Sequence, residues 1–172
     1  MVRQLRAGVL GAVLGVLAAA PARAETIDRV LAVVSGQLIT LTDVTAARDL
    51  GFRTADGAAD PVRAILTRLI EREILVSEVD RYAPPEPAAD AVDREVDRVR
   101  ARFASPSAFD AALTRSGIDE KHLREMLRED LRVAAYLDQR FASGEERRRS
   151  SYDEWIAGLR RRADVVDLYL TR

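Results

Sequence analysis

The sequence contains no cysteine, which excludes disulfides, thiol nucleophiles and thiolate metal sites from whatever this protein does. Histidine and lysine occur once each, as His122 and its neighbour Lys121. A single imidazole cannot form a His-based metal site or a histidine relay, and His122 stands at a helix start with no nucleophile beside it. There is no glycine-rich phosphate loop, no Gly-x-Ser-x-Gly step and no run of metal-ligand spacing. Carboxylates at helical spacing do occur, as Asp93/Asp97 and Glu125/Glu129, but arginines 94, 98, 124 and 128 interleave with them. Solvated pairing, at a few tenths of a kcal/mol per pair, accounts for them better than the acid pair of a hydrolase does. The arginine runs 147–149 and 160–162 are likewise diluted by Glu145, Glu146 and Asp164. The expectation is a protein that is not an enzyme, takes no cofactor and no metal, and does not bind nucleic acid.

Long apolar runs are scarce too. The one that stands out, Ala7 to Ala20, is shorter than the about 20 residues a spanning helix wants. Arg3 and Arg6 precede it, and Pro21 and the small-x-small triplet Ala22-Arg23-Ala24 follow. That order is the order of a secretory signal peptide, with cleavage expected after Ala24 and the periplasm as destination. Removal of residues 1–24 takes three arginines and no acid, leaving 24 basic groups against 28 acidic ones and a net charge of −4. The remaining 25–172 is sized for one domain that holds together on its apolar core alone.

What is present is apolar patterning. Arg29 to Val34 and Leu38 to Leu41 are short β-branched runs flanking Ser35-Gly36-Gln37, a hairpin. Thr42 or Asp43 then caps a short helix ending near Gly51. Asp60-Pro61 starts a helix to Tyr82 with apolar positions 62, 65, 66, 69, 70, 74, 75, 76 and 79, a stripe broad enough for a central helix. Ala83 to Pro87 stops it. Further helices follow over Ala88–Phe103, from Ser105-Pro106 to Gly117, from Asp119 to about Phe141, and over Tyr152–Arg162. Residues 142–150 read as a charged hinge, and 151–172 as a closing helix and strand. Val165 to Leu170 (VVDLYL) is a strand with no sequence neighbour to pair with, so the opening hairpin is its expected partner. The expected fold class is mainly α with a small sheet joining the hairpin to the C-terminal strand. Phe52, Phe103, Phe109, Met126 and Tyr136 lie at helix ends or seam edges, where part of their area is expected to stay exposed as a peptide-binding surface.

Four stretches together carry a resemblance: IDRVLAVVSGQLITLTDV, ILTRLIEREILVSEVDRYA, FDAALTRSGIDEKHLREMLREDLRVAAYL and WIAGLRRRADVVDLYL. In that order they resemble the N-terminal domain family of SurA-like periplasmic chaperones, across nearly the whole of 25–172. Relatives insert parvulin-type prolyl isomerase domains before the closing segment, where this chain has only Ala142 to Arg149, and one histidine cannot supply a parvulin site. The resemblance therefore implies an ATP-independent chaperone for unfolded outer-membrane protein precursors, with no isomerase activity and no catalytic residue to carry over. The alternative is a non-catalytic assembly subunit for one envelope partner, or a homodimer formed by exchange of the closing strand.

Overall fold

The computed structural model describes residues 28–141 and 145–170, so the expected signal peptide at 1–24 lies outside the described residues. Six helices and three strands are present among them. The first two strands, β1 (Val30–Val34) and β2 (Gln37–Thr40), pair antiparallel around Ser35 and Gly36. Both turn residues have positive φ, 50° and 87°, the backbone sign that matches the twist of two-residue hairpin turns. The third strand, β3 (Val165–Asp167), pairs antiparallel with the other edge of β1, giving the order β2-β1-β3. The apolar C-terminal run thus closes the sheet that the hairpin opens, as its isolation in sequence implies. It is three residues long rather than six. Ala32, Val34 and Ile39 point into the protein, whereas Val33 stands between Leu38 and Val166 on the opposite face.

The strand β2 runs straight into α1 (Leu41–Asp49). Because no loop intervenes, Thr40 rather than Thr42 or Asp43 is the N-cap. Its hydroxyl accepts from the Asp43 N–H at 3.3 Å, while the Asp43 carboxylate accepts from the Thr40 N–H at 2.7 Å. Helix α1 is apolar on two sides. Val44 and Ala47 join the core formed by the sheet, α2 (Pro61–Tyr82) and α6 (Glu145–Arg162). Ala46 and Leu50 join a second core built from α3 (Ala89–Arg100), α4 (Pro106–Ser116) and α5 (Glu120–Arg140). The small alanines let both layers approach the short helix closely, so that α1 is shared between the two cores.

Local chemistry sets the remaining boundaries. Asp60 caps α2 through the Arg63 N–H at 2.9 Å, with Pro61 at the first position. Ser105 and Asp119 cap α4 and α5 in the same way. Gly117 ends α4 at φ 70°, and a Cβ there would meet the Thr42 Cγ2 at 3.3 Å, so the turn and the close approach to α1 both favour glycine. Helix α6 begins at Glu145, and the charged segment read as a hinge over 142–150 is helical from that residue. Residues 142–144 lie outside the described residues.

Candidate functional site

The long helices α2 and α5 are clamped together by Arg72. Its Nε donates to Asp130 at 2.6 Å, and its Nη2 donates to Glu129 at 3.0 Å and to the Met126 carbonyl at 3.1 Å. Burial works against the guanidinium charge, but the Asp130 and Glu129 carboxylates outweigh it and raise its pKa above the ordinary arginine value. Next to it, Glu73 is pushed the other way for a carboxyl. Burial raises its pKa, and the Arg72 Nη1 at 4.0 Å offsets this only in part. From α6, Arg160 reaches Glu71 of α2 at 2.5 Å.

Between these ties lies a cleft of about 450 Å³, walled by α2, α5 and α6. Leu75, Val133, Ala134, Leu137 and Tyr152 give it apolar lining, and the Arg72–Asp130 pair, Glu71, Arg53 and Arg68 give it charge. Arg53 and Arg68 each donate to a carbonyl of the preceding loop, Phe52 and Thr54, at 2.8 and 2.7 Å. The cleft thus presents aliphatic and aromatic area beside charges that are already paired or held, a combination that can seat an apolar side chain.

None of the five residues expected to bind peptide lines this cleft. Phe109, expected to be partly exposed, is 1% exposed and belongs to the second core. The Phe103 ring meets it edge-on at 5.6 Å and the Arg100 guanidinium sits 5.2 Å above it. Tyr136 is buried as well, between Tyr82 at 5.3 Å and Trp155 at 6.2 Å. In both cases a neighbouring element covers the helix position that sequence leaves open. Phe52, Phe103 and Met126 are half-buried against the second core, with the Arg102 guanidinium 5.9 Å from the Phe52 ring. Met126 lines a separate recess of about 130 Å³ with Leu38 and His122. Four of the five therefore gather at the second core, and Tyr136 stands apart from them.

Sequence reasoning also missed an aromatic cluster. Tyr82, Tyr136, Phe141, Tyr152 and Trp155, five of the nine aromatic residues, meet where α2, α5 and α6 converge. The Arg140 guanidinium lies 5.1 Å from the Trp155 ring. The i, i+3 spacing of Tyr152 and Trp155 on one helix face was the available signal. Among the described residues no group of three His, Cys, Asp or Glu side chains is placed to hold a metal ion, and no helix is long and apolar enough to cross a membrane. No protein-family model matches the chain, and no curated protein sequence matches it.

Proposed function

We propose that this protein is an ATP-independent periplasmic chaperone that holds apolar and aromatic segments of unfolded outer-membrane protein precursors, without prolyl isomerase activity. The observation that carries the reading is the cleft between α2, α5 and α6, a groove between helices that opens to solvent and combines apolar with charged lining. The ordered resemblance of the four sequence stretches to SurA-like chaperones supports the choice of client. The mechanism is exclusion. An apolar client side chain seated on Val133, Leu137 and Tyr152 leaves water, and the client has less exposed area with which to aggregate. Micromolar affinity, about −8 kcal/mol, suffices for this and still permits release. No bond is made or broken, so no nucleophile, base or nucleotide is required.

The test is light scattering of an unfolded porin diluted from denaturant into the protein without ATP. Suppression at near-stoichiometric ratio is expected, together with its loss in Ala134→Glu, which puts a charge on the apolar wall at an exposed helix position. Absence of protection at large molar excess rejects the reading.

A further inference from the structure

One strand of the sheet is held unlike the others. Val165 and Val166 of β3 are half-exposed and Asp167 is exposed, and none of the three residues joins the buried core. Leu168 and Leu170 beyond it are exposed as well, Leu170 by 86%. Main-chain bonds attach the strand to β1, flanked by the Ser35 N–H donating to the Asp164 carbonyl at 2.8 Å and the Leu168 N–H donating to the Leu31 carbonyl at 2.9 Å. Past the strand a polar latch holds it against the start of α2. The Tyr169 hydroxyl donates to Asp60, and Arg63 donates to Asp167 at 2.5 Å and to the Tyr169 carbonyl at 3.2 Å. Arg63 and Arg29 also lie over the Tyr169 ring, at 5.1 and 5.8 Å. Short edge segments tied by half-exposed polar contacts open more readily than core elements do.

The strand underneath is held quite differently. Ala32 and Val34 of β1 are fully buried, and its other edge pairs with β2. Release of β3 therefore leaves a rigid, preformed row of unpaired main-chain donors and acceptors, with the apolar side chains of Val33 and Leu38 beside it. Such an edge recruits an extended chain through main-chain bonds and tolerates many sequences. The segment that now occupies it, Val165-Val166-Asp167-Leu168, shows what fits: an extended stretch whose residue opposite Val33 is apolar.

We propose that β3 is a displaceable strap, and that the edge of β1 beneath it takes up an extended, apolar-rich segment of an unfolded client chain. This rests on the chaperone reading above and adds a second point of client contact, on the sheet rather than in the helical cleft.

The absence of native cysteine makes the test direct. The Ser35 N–H bond to Asp164 and the Leu168 N–H bond to Leu31 set the pairing phase, so Val34/Val165 is the closer, non-hydrogen-bonded kind, whose usual Cα spacing of about 4.5 Å suits a disulfide. The full chain carrying Val34→Cys and Val165→Cys is compared, oxidised and reduced, for binding of a labelled unfolded porin diluted from urea. The oxidised form is expected to bind about tenfold or more weakly than the reduced form, which should match wild type. Tyr169→Phe, which removes the bond to Asp60, is expected to bind more tightly than wild type, a direction that a merely structural tie does not give. Equal binding by oxidised and reduced forms overturns the strap while leaving the chaperone reading intact. Wild type that binds no porin rejects both. A dimer that forms on reduction and disappears on oxidation assigns the β1 edge to a second copy of this chain and overturns the client as its occupant.

Discussion

Tyr169 donates its hydroxyl to both carboxylate oxygens of Asp60, at 2.9 and 3.1 Å, across 109 positions of sequence. Asp60 is also the N-cap of α2, so one carboxylate starts the central helix and anchors the C-terminal strand. Its pKa lies below the ordinary aspartate range, chiefly because the Arg63 N–H donates to it, and the hydrogen bond from Tyr169 to Asp60 raises the pKa of the tyrosine.

Deletion of residues 165–172 removes the latch, the main-chain bonds of β3 and the partly buried Tyr169 that packs against the first core, but no fully buried side chain. A loss of about 1–2 kcal/mol is expected, which for a domain of this size lowers Tm by about 3–8 °C. Thermal unfolding followed by circular dichroism measures it. An unchanged Tm would mean that the C-terminal strand contributes nothing to the folded unit.

Arg72→Met should cost about 2 kcal/mol, because Asp130 and Glu129 lose the cation that clamps α5 to α2. The figure lies below the about 3–5 kcal/mol of a fully buried pair, since both carboxylates stay partly in water. Urea denaturation of the two proteins gives the difference.

Glu73 makes stability depend on pH in a definite direction. Its folded pKa lies above the ordinary glutamate value of 4.5, so the native state holds the proton more tightly than the unfolded chain does. Stability therefore falls as pH rises through the window above 4.5, and the ionised side chain remains unfavourable at neutral pH. Glu73→Gln should melt higher than wild type at pH 7, and this advantage should shrink as the pH is brought below that window. An advantage independent of pH would show that burial of the charge is not its source.

Phe109→Ala should lose about 3–5 kcal/mol, the cost of a large cavity in a closed core. Phe52→Ala, at a half-buried surface position, should lose markedly less. Chemical unfolding distinguishes the two, and equal losses would contradict the placement of Phe109 at the centre of the second core.

Much of the fold was legible in the sequence because its signals are local. Asp60-Pro61, Ser105-Pro106, Asp119 and Gly117 mark helix ends through bonds to residues one turn away, and the structure puts the boundaries there. Boundaries that depend on what comes before them were not legible in this way. Thr40 caps α1 because the strand enters the helix directly, and α6 starts at Glu145 although its first turns are strongly charged. The candidate site was legible least of all. Phe109 and Met126 share the apolar signature of a binding surface, yet one is sealed in the core and the other borders a recess.

By itself the sequence determined the chemistry that is out of reach, namely thiol chemistry and histidine pairs, and the kind and order of the elements. Periodicity and capping act within a turn or two of the chain, so they can be read along it. Only the tertiary structure decided which apolar faces are covered. The broad stripe of α2 is buried or packed against the core, with Leu75 also reaching the cleft, and Tyr136 is buried because Tyr82 and Trp155 arrive from two other helices. Burial belongs to the contact between distant segments, and no single segment carries it.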